Sequence, residues 1–237
     1  MDNFFLDSPL EIYKHNWDEE INPFVSININ VFNHEKFLEK CLSGIINQRT
    51  TFKVDILIFD DASSDDSNKI LNHYKKLYPE LIKIFQPHKN LYNSGYFFET
   101  CMNFFNSSLS EFNATCEGDD YWIDNNKLQK QVMFLVNNPS YSLTFHKIKY
   151  INEFNKKEHY FDYPKKEVLS NIDVIWWHRI PTCSRVFRKS SQPSPWPKWV
   201  DPANITSPDI VQNILISEKG KVKFFNKEMA VYNKNLN

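Results

Sequence analysis

Residues 24–31 read Phe-Val-Ser-Ile-Asn-Ile-Asn-Val, and Phe32-Asn33-His34-Glu35 follow at once. Val25, Ile27, Ile29 and Val31 alternate with Ser26, Asn28 and Asn30, the period of a strand rich in β-branched residues. Asn33 stands where a helix N-cap is expected, and Phe37, Leu38, Cys41, Leu42, Ile45 and Ile46 then recur at helical spacing up to Gln48. The same strand-then-helix unit repeats outward. Residues 54–59, Val-Asp-Ile-Leu-Ile-Phe, read as the next strand and end in Asp60-Asp61-Ala62-Ser63-Ser64-Asp65-Asp66, ahead of a helix carrying Ile70, Leu71, Tyr74 and Leu77. Residues 81–85 lead through a polar loop to Gly95 and a helix with Phe97, Phe98, Cys101, Met102 and Phe105. A short strand at 113–116 ends in Glu117-Gly118-Asp119-Asp120-Tyr121-Trp122. Strands alternating with helices predict an α/β fold on a mostly parallel sheet, Rossmann-like in its first half. Ligands of such sheets bind at the carboxyl ends of the strands, where both acidic clusters fall.

The second half is less regular. A helix is expected at 127–137, strands at 142–149 and 184–188, a helix at 209–219, and two short strands at 221–225 and 229–232. Between them, Pro193, Pro195, Pro197, Pro202 and Pro208 crowd a loop that also holds Trp196 and Trp199. Residues 1–22 read as a loosely structured lead-in.

Composition removes several alternatives. Only four glycines occur in 237 residues, against about sixteen at average usage, and no two are close enough for a GxGxxG or Walker-type phosphate loop. Bound phosphate then needs another counter-charge. Lys and Arg number 28 against 29 Asp and Glu, so no global basic field points to nucleic acid. No apolar run reaches the length of a membrane-spanning helix, and the acidic start lacks the pattern of a secretory signal. Cys41, Cys101, Cys116 and Cys183 show no CxxC spacing and are expected as buried thiols. A cytoplasmic protein is the expectation, with peripheral contact to a membrane through Lys156, Lys157, Lys165 and Lys166 as an alternative to a merely solvated face.

Glu117, Asp119 and Asp120 place three carboxylates within four residues at a strand end. Such crowding is unfavourable without a cation, and hard divalent ions such as Mg²⁺ or Mn²⁺ prefer these oxygens. A solvated acidic turn is the plain alternative. In the upstream cluster, an Asp could accept a hydrogen bond from a heterocycle N–H, or Ser64, Asp65 and Asp66 could simply start the next helix. Trp176 and Trp177 are adjacent and must point different ways, one of them into the core. His34 and His146 are expected as structural groups.

The segments VSININVFNHEKFLEKCLSGIINQ, VDILIFDDASSDDS, QPHKNLYNSGYFFETCMNFFNSS, CEGDDYWIDNNKLQKQ and EKGKVKFFNKEMAVYN, in this order, resemble the motif set of family 2 glycosyltransferases, which have the GT-A fold. CEGDDYW followed by KLQKQ is similar to a branch that builds surface polysaccharides. The resemblance covers about residues 24–233. It implies one GT-A domain over 23–237, with a nucleotide-sugar half at 23–122 and an acceptor half at 123–237. It implies a hexosyl- or N-acetylhexosaminyl-type transferase that moves sugar from a nucleotide donor to a glycan or lipid-linked glycan.

Residue by residue, the resemblance implies a nucleotide site at Phe32, Asn33 and Glu35, a base contact at Asp61, and a loop skirting the nucleotide at Lys89, Asn90 and Gly95. Glu117-Gly118-Asp119 matches the DxD motif, with Asp119 as ligand of Mn²⁺ or Mg²⁺. Asp120 is expected to line the donor sugar, and Trp122 to pack beside it. Asp61 favours UDP, because uracil has an N3–H and cytosine does not; dTDP and GDP stay open. The base of an inverting displacement is expected at Asp209, in Ser207-Pro208-Asp209, with Asp201 as fallback. Trp196, Trp199 and Asp201 are candidate acceptor contacts. Pro208 stands where the family more often has an acid or glycine, and the Arg and His that commonly follow the final Tyr are absent after Tyr232. A non-catalytic nucleotide-sugar or glycan-binding module on the same fold is the main alternative, and a nucleotidyltransferase a weaker one.

Overall fold

A computed structural model of the chain describes residues 5–152, 154–177, 179–197, 200 and 207–234. Its strands are β1 (Leu10–Glu11), β2 (Val25–Val31), β3 (Arg49–Thr50), β4 (Val54–Asp60), β5 (Ile82–Phe85), β6 (Phe112–Glu117), β7 (Tyr121–Trp122), β8 (Tyr141–Asn152), β9 (Lys157–Glu158), β10 (Val168–Leu169), β11 (Val186–Arg188) and β12 (Lys221–Asn233). The helices are α1 (Leu38–Ile46), α2 (Ser67–Leu77), α3 (Phe97–Asn106), α4 (Lys127–Asn137), α5 (Asn171–Trp177) and α6 (Pro208–Ser217). Among the described residues the main sheet runs β10-β12-β8-β11-β6-β2-β4-β5, with β7 on β12 and β9 on β8.

β2 pairs in parallel with β4 on one side and β6 on the other, and β4 with β5. The chain therefore winds from β2 to β4 and β5, then crosses back to β6. This reversal opens a crevice at the carboxyl ends of β2 and β6, where α/β folds place ligands. Beyond β6 the sheet turns mixed, with β11 antiparallel to both β6 and β8 and β12 parallel to β8.

A central parallel strand is buried on both faces and usually reads as a continuous apolar run. β2 does not. Its apolar half, Val25, Ile27, Ile29 and Val31, joins Leu38, Leu42 and Ile45 of α1 and Leu128 and Val132 of α4 in the main core. Its other half presents Asn28 and Asn30 to a cavity on the opposite face. That face is covered by α3, whose Cys101 and Phe105 pack on Leu57 and Phe59 of β4. It is also covered near α5 and α6, where Val174 and Ile216 join Leu143, Phe145 and Phe187. The alternation that marks the strand thus also marks the side on which the sheet is hollow.

Several expectations change. The lead-in is docked: β1 pairs with β3, Ile12 is buried, and the Phe5 and Phe24 rings lie 5.2 Å apart. The two short strands near the end are one strand, β12, which crosses residues 226–228 with shifts of register. α5 was not expected. It places Trp177 against Phe145, with ring centroids 5.5 Å apart, and leaves Trp176 exposed. Asn33 does not cap α1, which starts at Leu38; it takes φ 56° in the left-handed region that Asn tolerates. All four cysteines are buried free thiols, as expected. No helix among the described residues is long and apolar enough to cross a membrane.

Candidate active site

Val31, Asp60 and Glu117 end three neighbouring strands, with Val31 opposite Asp60 and Asn30 opposite Glu117. The segment after β2 is fastened to the turn after β4 and the start of α2 by a set of hydrogen bonds. The N–H groups of Asn33, His34 and Glu35 donate to Ser63 Oγ, Ser67 Oγ and Asp65 Oδ2 at 2.9, 2.9 and 3.0 Å. In return the Ser64 and Asp66 N–H groups donate to Asn33 Oδ1 and Glu35 Oε2 at 2.8 and 2.9 Å. Asn33 and Glu35, expected at the nucleotide, spend their side chains on this clamp. Phe32 stays exposed beside it.

Asp61 is buried and accepts the N–H groups of Leu91 and Tyr92, at 2.7 and 3.0 Å. Asn90 Nδ2 donates to the Asp61 carbonyl at 3.2 Å, and Gly95 turns the chain into α3 with φ 76°. Asp61 thus anchors the loop that carries Asn90 and Gly95; Lys89 on that loop is exposed.

The crevice deepens into a cavity of about 520 Å³. Asn28, Asn30, Thr115, Glu117 and Arg185 supply its polar floor. Phe97, Phe98 and Met102 of α3 form one wall, Asp209 and Gln212 of α6 another, and Tyr92 and Tyr232 complete it. A polar floor between aromatic walls suits a sugar, which offers hydroxyls at its edge and C–H groups on its faces. Trp196 packs edge-on against Phe98, with centroids 4.6 Å apart, and so braces the α3 wall. Trp199 and Asp201 lie outside the described residues.

Burial and the charge of Asp119 push the Glu117 carboxyl up to about 8. Asp119 is half-buried, with Oδ2 4.0 Å from His34 Nε2, and a Cβ on Gly118 would come within 2.7 Å of His34 Nδ1. Only glycine lets the histidine ring lie against this turn. Burial outweighs the neighbouring carboxylates and lowers the His34 pKa, so the ring adds no full positive charge at neutral pH.

Two residues expected beside the donor sugar lie away from this cavity. Asp120 does not line the cavity: it is buried, with Oδ1 accepting the Asn233 N–H at 2.8 Å, and it fastens the end of β12. Burial and the charge of Asp119 raise its pKa far above the usual carboxylate range. Trp122 is a core residue whose Nε1 donates to the Cys183 carbonyl at 2.9 Å. β7 pairs with β12, and that pairing turns both residues inward.

One residue was not anticipated. Arg185 is buried at the cavity floor, where Nε donates to Thr115 Oγ1 at 2.8 Å and the two Nη atoms donate to Asn213 Oδ1 and Gln212 Oε1 at 2.7 Å each. In the sequence it reads only as part of a strand.

Among the described residues no group of three His, Cys, Asp or Glu side chains could hold a metal by itself. Glu117 on the cavity floor and Asp119 two residues on nevertheless bring two carboxyl groups together at the end of β6, and this oxygen donor set fits a divalent cation that draws its remaining ligands from elsewhere. A cation there would also relieve the pressure on Glu117.

The model of a family described as glycosyl transferase family 2 matches residues 26–192. The chain belongs to that family. Its curled mixed sheet flanked by helices is the GT-A fold of glycosyltransferase structures. Rv1520 of Mycobacterium tuberculosis, itself uncharacterised, is 30% identical over 203 residues, which are 85% of this chain and 56% of that one. The chain therefore spans a little over half the length of this relative. A Bacillus spizizenii poly(ribitol-phosphate) β-glucosyltransferase is 31% identical over 153 residues, 64% of this chain and 22% of that one. The crystal structure of S. aureus TarS 1–349 in complex with UDP superposes with a TM-score of 0.65 at 15% identity, over 89% of this chain and 60% of that one. A Pyrobaculum calidifontis mannosyltransferase in complex with GDP-Man and Mn²⁺ gives 0.63 at 13% identity, over 92% and 60%. The family match covers the crevice from Ser26 through Asp61, Glu117 and Arg185.

Proposed function

We propose that this domain transfers a glycosyl group from a nucleotide sugar, UDP-linked, to a hydroxyl of a glycan or lipid-linked glycan, with inversion at the anomeric carbon. One observation carries the reading: Asp209, at the start of α6, opens onto the same cavity as Glu117, the first acid of the DxD-like turn. A base and a donor-side acid flanking one sugar-sized space is what a single displacement needs.

In this reading Asp119 holds a divalent cation together with the donor diphosphate. The bound ion supplies Lewis-acid stabilisation of the leaving phosphate charge. The chain's own groups do the rest. The aromatic walls and the Asn28 and Asn30 amides orient the sugar and exclude water. Asp209 takes the proton of the acceptor hydroxyl as its oxygen attacks the anomeric carbon and the bond to the diphosphate oxygen breaks. Asp61 retains two of a carboxylate's four lone pairs for the N3–H of uracil, and its burial means that the 89–95 loop shifts to admit the base. The UDP and UDP-GlcNAc complexes of TarS support the choice of nucleotide, and the Mn²⁺ complex of the mannosyltransferase supports the metal.

The test is a thermal-shift screen of nucleotide sugars with and without Mn²⁺, followed by nucleotide release from the best donor. Metal-dependent stabilisation by one donor, lost in Asp119→Ala, is the expected result. Stabilisation with no turnover against any acceptor or water identifies a binding module instead. No stabilisation by any sugar nucleotide removes the reading.

A further inference from the structure

We propose that Arg185 is a positioning residue for the transfer reaction: its guanidinium ties β6 to α6 and thereby aims the Asp209 carboxylate into the cavity. The proposal rests on reading Asp209 as the base. Gln212 and Asn213 stand three and four residues after Asp209, so the three share one face of α6. Arg185 grips the other two members of that face through separate Nη atoms, at 2.7 Å each. Its Nε grips Thr115, which lies two residues before Glu117 on the same face of β6. The helix that presents the base and the strand that presents the DxD-like turn are thus fixed to one planar group.

The connection extends both ways. Thr115 Oγ1 donates to the Thr182 carbonyl at 2.7 Å, and Gln212 Nε2 donates to Gln192 Oε1 at 3.0 Å. Gln192 Nε2 in turn donates to Asn106 Oδ1 at the end of α3, at 3.0 Å. The α3 wall, the floor and α6 therefore share one hydrogen-bonded frame. A buried cation is costly unless its charge is answered. The side chains that accept from Arg185 are neutral, and the carboxylates that act on it are Asp209 and Glu117 across the cavity. Burying an arginine here makes sense if its fork sets geometry and its charge faces the base. A lysine could supply the charge but not three fixed directions.

The titratable groups that share the cavity with Asp209 are Arg185, Glu117 of β6, Tyr232 of β12, Tyr92, and the Cys101 and Cys116 thiols. Arg185 is the one cation among these described groups.

The test uses the full chain as wild type, Arg185→Met and Arg185→Lys. The Asp209 carboxyl is followed by ¹³C NMR at one fixed pH, its signal assigned by its loss in Asp209→Asn. That signal is expected to shift and broaden in Arg185→Met, where the start of α6 is no longer held in one arrangement, and to change less in Arg185→Lys. With the donor from the screen, kcat is expected to fall about 100-fold in Arg185→Met and by a smaller factor in Arg185→Lys, with KM for donor nearly unchanged. The NMR measurement needs no activity, so it judges the coupling even if the donor reading fails. An unmoved Asp209 signal in a folded Arg185→Met overturns the proposal. So does unchanged kcat in both variants while Asp209→Asn is inactive. Full transfer by Asp209→Asn instead removes the base assignment and this proposal with it.

Discussion

Lys127 begins α4 with its side chain fully buried, and Nζ has no hydrogen-bond partner. The amine sits 4.0 Å from the Trp122 ring centroid. The nearby Cys116 and Cys183 thiols are held protonated by burial, so they offer no counter-charge at neutral pH. Desolvation pulls the amine down from 10.5 to about 7. Between those values the unfolded chain carries a proton on Lys127 that the folded chain lacks. Stability from this group therefore rises with pH across that window, and the full burden of the buried charge is felt at and below pH 7. A shift of that size corresponds to about 5 kcal/mol at 1.36 kcal/mol per unit, an upper bound that side-chain relaxation and cation–π attraction reduce to about 2–4 kcal/mol. Lys127→Met keeps the shape and removes the charge. It is expected to raise stability by that amount at pH 6–7, about 4–12 °C in Tm for a chain of this length. The gain should shrink towards zero by pH 10.5. Because Glu117, the buried thiols and the tyrosines titrate over overlapping ranges, the quantity to read is the difference between variant and wild type in urea unfolding at each pH. A Lys127→Met protein that is less stable at pH 6.5, or whose gain is flat with pH, refutes the reasoning.

Two further outcomes follow from the packing. In Gly44→Ala a Cβ would meet the Trp122 carbonyl oxygen at 2.5 Å and its nitrogen at 3.1 Å, both backbone. Overpacking of about 1–3 kcal/mol should outweigh a helix-propensity gain of about 1 kcal/mol, giving a net loss in urea unfolding; an unchanged or higher stability contradicts the contact. Asp61→Ala leaves the Leu91 and Tyr92 N–H groups without their acceptor. It should speed amide exchange at those two positions by about 10–100-fold and weaken donor binding at least tenfold by titration, with global stability falling by about 1–2 kcal/mol. Unchanged exchange shows that another group holds the loop.

The parallel half of the fold is legible because each strand ends in polar residues before an amphipathic helix begins, and the observed strands and helices follow that order. The alternation in β2 even marks the hollow face. The C-terminal half is less legible. Residues 226–228 are polar and look like a turn, but β12 runs through them because β8 beside it is long enough to pair on both sides of the shift. At the site, the acidic turn is visible as composition, yet its division of labour is not. Asp119 and Asp120 are neighbours in sequence, and only the β7–β12 pairing shows that Asp120 turns inward to Asn233. Arg185 has no local signature at all. Its role depends on Thr115, Gln212 and Asn213, which are about 30 to 70 residues away and come together only across three elements.

The central claim is that Asp209 and the Glu117–Asp119 turn act on one sugar in one cavity. It is tested most directly by nucleotide release from the donor that the screen selects, with Mn²⁺, measured on wild type and Asp209→Asn together with donor affinity. The account predicts donor binding within about threefold of wild type and a turnover lower by about 10²–10⁴-fold in the variant. Asp209→Asn releasing nucleotide at the wild-type rate, with donor bound equally well, contradicts it.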